Sequence, residues 1–434
     1  KWRALVAYIT GCLNGSSVNA VFPEPVCGHN EKQNLEDCLA RGLRWYENAG
    51  MLVENGERGA KEGLSHQIDA KNGRQLVAAQ IRTDCCGETG GAFLFDYLLT
   101  GNSQSLRTAE NMENFCFDYL QEKDGPYAGM VRWSESAWET CYQDDVARAI
   151  LPTLLKACFS HEEGARRHLD DAFSALDFLV KTTGTNGLRP NRTDCANLSQ
   201  NEMERIRTTE SGRPSAHYNA YYHAALLLAY KICSKQIYFD TAKNGLETIM
   251  ALYPDTKREQ SETQEMCRLI FPLASLYEVS KDEKHKAMLY RVTADLQRLR
   301  QPCGGYAEWD TGYRANCSRR EAGECSLLAE NGDPVADLLY SVNWLPLGFS
   351  YAYYVTKDAL FYDLWADVAR FFCLTQIQSK DKALDGAWAR AFDMELYEIY
   401  GVPHDVGWAP CSIESGWTVS EILMGLMMMK FIEK

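Results

Sequence analysis

No run of lysines and arginines stands out in this 434-residue chain, whose formal net charge is −14. A nucleic-acid binder needs a basic footprint, so that class is excluded. No stretch approaches the ~20 apolar residues of a membrane helix; the run 423–429 is short and contains Gly425. The C-x2-C spacing of a zinc site is missing too, since Cys303, Cys317 and Cys325 cluster without it. No metal and no cofactor is expected. Sustained period-two alternation is scarce, which argues against a large sheet. Nor is there a fixed repeat length, which argues against an open solenoid scaffold.

What is present is an ordinary globular mixture, 46% apolar and 24% charged, long enough to bury a large core without staples. The 16 cysteines are scattered through apolar helical runs, as with Cys116, Cys158, Cys233 and Cys373. Free cysteine behaves as a small buried hydrophobe, and unpatterned cysteine fits a reducing compartment. A cytoplasmic location is therefore expected. The chain begins at Lys1 rather than Met, which leaves a removed leader or an upstream segment open.

Helical periodicity dominates. It predicts helices near 31–50, 84–100, 105–121, 141–159, 162–182, 216–232, 236–252, 262–279, 283–300, 334–355, 358–376 and 412–432, with a further apolar helix at 2–13. Their connections alternate in length. Thr100-Gly101-Asn102, Ser160-His161, Ser234-Lys235, Ser280-Lys281-Asp282 and Thr356-Lys357-Asp358 are short and polar, so each joins two antiparallel neighbours. The others, 51–83, 122–140, 183–215, 301–333 and 377–411, are long, and long loops are usually functional. Five hairpins plus a closing pair from 412–432 and 31–50 make an all-α (α/α)6 toroid, a single domain over 1–434. Its long loops gather on one rim and are rich in aromatics and glycine.

Charged residues open several of the expected inner helices. Arg82 and Asp84 are followed by Glu88; Asp144-Asp145 leads to Arg148; His217 opens the third and Glu414 the last. Helix capping accounts for part of this. The twin aspartates are the sharper case, because adjacent side chains at a helix start diverge by about 100°. One can pair with Arg148 a turn later while the other faces the funnel with the raised pKa of a general acid. The densest cluster is C-terminal, with Trp388, Arg390, Asp393, Trp408, Glu414 and Trp417. Its bland reading is packing aromatics around an ion pair of Arg390 with Glu414 or Asp393.

The run DGAWARAFD at 385–393, followed by GWAPCSIESGW at 407–417, resembles the C-terminal signature of a bacterial family of six-hairpin glycosidases that includes gut β-glucuronidases. NGDPVADLLYSVNW at 331–344 and YQDDVARAILP at 142–152 are similar to two further family stretches, and RTDCCGETGGAF at 82–93 matches more loosely. The resemblance implies an (α/α)6 barrel and release of a uronic acid from a non-reducing end. Asp84 and Asp144 or Asp145 fall where related unsaturated glucuronyl hydrolases place aspartates; Val146 departs from the Asn that follows the double Asp there.

The expected chemistry is hydrolysis of an oligosaccharide or glycoconjugate by two carboxyl groups, one of Asp144/Asp145 and Glu414, with Asp393 and Glu88 as further candidates. Arg82, Arg148 or Arg390 would hold a substrate carboxylate, with Asp84 and His217 beside them, and Trp388, Trp408 and Trp417 would form the sugar platform. A carboxyl separation of about 5–5.5 Å would give retention, and about 6.5–9.5 Å inversion. Hydration of unsaturated uronic acids, lyase or epimerase chemistry through His217, Tyr218 or His223, and non-catalytic glycan binding are the alternatives. Oligomeric state is left open.

Overall fold

A computed structural model describes residues 34–69, 71–160, 163–310, 327, 329–401 and 408–434, plus a few isolated positions before residue 13. The helix expected at 2–13 lies for the most part outside the described residues.

Six inner helices form a closed ring. They are α2 (Thr83–Thr100), α4 (Gln143–Phe159), α7 (Ala216–Cys233), α9 (Glu262–Ser280), α11 (Leu345–Thr356) and α13 (Glu421–Ile432). Each packs on the next, and α13 closes back onto α2. Six outer helices back them: α3 (Ser103–Asn114), α5 (Leu169–Lys181), α8 (Gln236–Leu252), α10 (Glu283–Gln297), α12 (Ala359–Thr375) and, on α13, α1 (Leu35–Asn48). This is the (α/α)6 toroid.

The sequence separates the two layers by patterning. Inner helices are buried almost all round, as in the unbroken buried runs Thr83–Phe95 and Thr263–Leu276. Outer helices bury one stripe, for example Tyr238, Ala242, Gly245, Leu246 and Ile249 of α8. Close inner contacts need glycine. A Cβ on Gly87 of α2 would lie 2.3 Å from Ala149 Cα of α4.

Within the expected helices 334–355 and 412–432 the first residues are not helical. Val335–Asp337 forms strand β5 and Ile413–Glu414 forms β8. A π-helical turn, Ser415–Ser420, joins β8 to α13. The loops carry small sheets rather than a large one. In loop 51–83, β1 (Lys61–Ile68) pairs with β2 (Gln75–Ile81) and with β8. β3 (Thr140–Cys141) pairs with β4 (Thr193–Asp194), and β5 with β6 (Ala391–Asp393), which also pairs with β7 (Glu398–Ile399). Loop 183–215 also holds a short helix, α6 (Gln200–Thr208), that periodicity did not reveal.

The β1–β8 pairing fixes Glu414 at the rim. Gly63 opposes it at φ 152°, where a Cβ would lie 2.0 Å from Ile413 O, so only glycine lets the strands meet.

Candidate functional site

At the N-terminal mouth of the ring lies a pocket of about 330 Å³. Every inner helix contributes to it, through its first turn or the loop leading in: Arg82, Asp144 and Asp145, His217, Glu259, Tyr340, and Glu414 with Trp417. Trp133, Tyr142, Tyr218 and Trp408 add aromatic wall.

The polar residues are held by one buried ion network. Arg82 reaches Asp84 with Nε (3.1 Å) and Nη2 (2.5 Å), Glu62 with Nη1 (2.7 Å) and Asp145 with Nη2 (3.1 Å). Arg148, one turn after the twin aspartates, reaches Asp144 Oδ2 at 3.1 Å, Glu88 Oε1 and Asp84 Oδ2 at 3.3 Å, and Asp145 Oδ1 at 3.4 Å. Its guanidinium lies 3.9 Å from the centre of the Trp417 ring, whose Nε1 donates to Asp84 at 2.6 Å. Glu414 accepts from the Cys85 thiol at 2.9 Å and from the backbone N–H of Trp417.

So many carboxyl groups around two arginines cannot all ionise. Burial raises Asp84, but Arg82 and Arg148 overturn that and hold it well below the usual carboxylate range. Burial, with Asp84 and Asp144 beside it, pushes Asp145 well up. Glu414 rises to about 8, through burial and the neighbouring Asp84 and Glu62, against the pull of Arg82. Near neutral pH the pocket therefore holds Asp145 and Glu414 as acids, with Asp84 ionised behind them.

His217 is positioned from α9. Glu265 caps the open end of α7, accepting from Ala216 N at 2.6 Å and His217 N at 2.9 Å. The Gln264 amide donates to His217 Nδ1 at 2.9 Å, which leaves the ring proton on Nε2. Burial, then Arg268 and Arg148, keep the ring neutral by driving its pKa well down.

Of the residues expected from sequence, Arg82, Asp144, Asp145, His217, Trp408, Glu414 and Trp417 line the pocket. Asp84, Glu88 and Arg148 sit behind it in the ion network. The structure places three others elsewhere. Trp388 is fully buried, donates from Nε1 to Phe372 O at 2.9 Å and packs edge-on against Phe372, so it is core rather than platform. Asp393 accepts from Glu395 N and Leu396 N, both at 2.9 Å, and thereby stabilises a turn.

Arg390 is the third. It pairs with Asp337, Nη2 to Oδ2 at 3.1 Å, and not with Glu414 or Asp393. It stacks 4.9 Å from the Tyr340 ring and donates to Trp408 O, so it supports two wall residues from outside the pocket lining.

Sequence reasoning missed Glu259 on the wall, and Arg268 and Glu421 beneath it. The available signal for the last two was a single charge inside an apolar inner-helix run.

Asp84, Cys85 and Glu414 bring one possible metal-ligating atom each to within 4.8 Å of one another. Those carboxylates already accept from Arg82, Trp417 and Cys85 and pair with Arg148, so a cation would have to displace protein partners. Among the described residues no helix is long and apolar enough to cross a membrane.

No protein-family model matches the sequence, and no curated protein matches it. Solved structures do match. The cellobiose 2-epimerase of Bacillus thermoamylovorans is similar at 11% identity over 92% of this chain and 98% of its own, with a TM-score of 0.62. An unsaturated glucuronyl hydrolase specific for heparin is similar at 12% identity, over 92% and 97%, with a TM-score of 0.56. The third is an inactive variant of the α-1,6-mannanase of a Salegentibacter species, solved with α-1,6-mannotriose. In it two consecutive aspartates are replaced by asparagines; it is 9% identical over 92% and 100%, with a TM-score of 0.57. At such identities the likeness is one of fold.

Proposed function

We propose that this chain is a glycoside hydrolase that removes a terminal sugar in the rim pocket, with Asp145 as proton donor and Asp144 as the carboxylate acting on the anomeric carbon or on water. The observation that carries the proposal is the pairing of unlike environments at the start of α4. Asp144 is salt-bridged to Arg148 at 3.1 Å, whereas burial and neighbouring carboxylates keep Asp145 protonated. A buried acid beside a carboxyl group held by an arginine is the pairing that acetal cleavage uses, one to protonate the departing oxygen and one to stabilise positive charge on the ring. Trp133, Tyr142, Tyr340, Trp408 and Trp417 give the pocket faces on which a pyranose can stack.

The matched structures include carbohydrate-active enzymes of both hydrolase and epimerase type, which favours a sugar as substrate. In the mannanase variant two consecutive aspartates are replaced and the enzyme is inactive. This chain also carries consecutive aspartates facing a pocket, which supports giving them the chemistry.

For the sugar itself, the C-terminal resemblance favours a uronic acid released from a chain end, with Arg82 as the cation on the wall. A substrate carboxylate would compete with Asp145 for Arg82 Nη2, and a neutral Asp145 is the weakest of that arginine's three partners. Nitrophenyl glycosides of glucose, mannose, galactose, glucuronic acid and galacturonic acid test both points. Turnover of any of them that disappears in Asp144→Asn supports hydrolysis at this site, and preference for the uronides supports the charge assignment. Absence of turnover across the panel, with interconversion of free reducing sugars instead, would replace this reading by the second one, epimerisation with the Nε2–H of neutral His217 as donor to the sugar.

A further inference from the structure

Beneath the pocket the ring is plugged by one buried side chain from each inner helix or its lead-in: Glu88, Arg148, Tyr221, Arg268, Trp344 and Glu421. They form a connected layer. Arg148 bonds Glu88 at 3.3 Å, Tyr221 donates to Glu421 Oε1 at 3.2 Å, and Arg268 stacks 3.7 Å from the Trp344 ring. Arg268 also donates to His217 O at 3.3 Å and lies 4.0 Å from Asp144 Oδ2.

Two features of this layer lack hydrogen-bond partners among the described residues. Glu88 Oε2 and Glu421 Oε2 are buried and accept from no donor among the described residues, yet the two carboxyl groups lie within hydrogen-bonding reach of each other. Facing carboxyl oxygens in a dry interior are compatible only if a proton lies between them. Solvent is kept out by the π-helical turn, where a Cβ on Gly416 would lie 2.4 Å from Glu88 Oε2. Arg268, fully buried, leaves Nε and Nη2 without an acceptor among the described residues. Among the described residues, the carboxylate within 4.0 Å of it is that of Asp144.

We infer that Glu88 and Glu421 share a single proton, and that the layer's two guanidiniums then carry one uncompensated positive charge, which is set against Asp144. Arg268 is thereby a positioning residue for Asp144. The groups facing the glutamate pair are Arg148, Arg268, Tyr46, Tyr221, Asp84 and Glu414; those facing Asp144 are Arg148, Arg268 and Asp145, with His217 on the same pocket wall. Burial raises Glu421 to about 7 and Glu88 well above its ordinary value, in keeping with one retained proton. The catalytic half of the inference rests on the role proposed for Asp144; the shared proton does not.

Two substrate-free measurements test it. The first counts protons released on unfolding near pH 6, from the slope of stability with pH, in wild type, Glu88→Gln, Glu421→Gln and the double variant. Each single variant should release about one proton fewer, and the double variant no fewer than either single. No loss in the singles, or a second loss in the double, overturns the shared proton.

The second follows the titration of Asp144 by infrared difference spectra against Asp144→Asn. In Arg268→Met it should move up by about one pH unit or more, with Arg268→Gln as a second variant, and Arg268→Lys should restore most of the shift. An unmoved titration overturns the positioning role. The acid limb of kcat should move in parallel. If no glycoside is turned over, the hydrolase reading fails while both measurements still decide this one.

Discussion

Replacing Asp145 by asparagine should separate catalysis from stability. The change is nearly isosteric and swaps a neutral acid for a neutral amide, because Asp145 is held protonated by burial beside Asp84 and Asp144. Arg82 Nη2, 3.1 Å from Oδ1, finds an amide oxygen in the same place. Below about pH 4, where Asp145 is neutral in the unfolded chain as well, folding stability should therefore change by less than about 1 kcal/mol.

Its pH dependence should change more. The folded-state pKa is raised, so the native chain keeps a proton that the unfolded chain has lost, and stability falls as pH climbs from the ordinary carboxylate range to the raised value. Asparagine removes that decline, and the variant gains on wild type as pH rises. Catalysis should suffer where protonation of the departing oxygen matters. A general acid contributes about 10²- to 10⁴-fold, or roughly 3–5 kcal/mol in the barrier. Alkyl glycosides should lose that much, and dinitrophenyl glycosides, whose leaving groups need no proton, far less. Denaturant titrations and kcat/KM for both aglycones check the pair of claims. Equal losses on both aglycones, or destabilisation beyond about 3 kcal/mol, would refute the assignment of Asp145 as a protonated acid.

Other substitutions read other parts of the network. Arg148→Met should cost about 3–5 kcal/mol in chemical denaturation, because it strands the buried carboxylates of Asp84, Asp144 and Glu88 without their shared cation. Gly87→Ala should cost about 3 kcal/mol and lower kcat, since its Cβ would meet Ala149 Cα at 2.3 Å and Arg148 O at 2.6 Å, prising α2 from α4 beneath the twin aspartates. In Trp417→Phe the Nε1 bond to Asp84 is lost while an aromatic face remains. KM for aryl glycosides should change little and kcat should fall about tenfold, as Asp84 takes more of Arg82 and Arg148.

The toroid was legible because its two signals are local. Short polar connectors such as Ser280-Lys281-Asp282 stop one helix and start the next; in the structure Lys281 takes the left-handed conformation and Asp282 caps α10 through Lys284 N. The pocket residues at helix starts were legible for a related reason. Arg82, Asp144, Asp145, His217 and Glu414 are polar where an inner helix should turn apolar.

What sequence pattern did not carry was direction in space. Trp388, Arg390 and Asp393 share a dense motif with Trp408 and Glu414, but β6 pairs with β5, which draws that part of the motif towards Asp337 and Phe372. The helix expected from 334 starts late for the same reason. Asp337 accepts from Leu339 N and Tyr340 N and so shapes a turn that places Tyr340 on the pocket wall.

Arg268 and Glu421 were illegible for the opposite reason, since a lone charge in an apolar run ordinarily points to solvent. In a closed ring the inner helices have no solvent face along the axis. Any charge there must meet another charge or share a proton, and the geometry supplies both: Arg148 against Glu88, and Glu88 against Glu421. The same closure explains why a chain with formal charge −14 gathers so many carboxyl groups round so few arginines at its mouth. Far from water, a carboxyl group without a cation keeps its proton. A surplus of acids over guanidiniums is therefore a store of protonated acids, and Asp145 and Glu414 are the two that face the pocket.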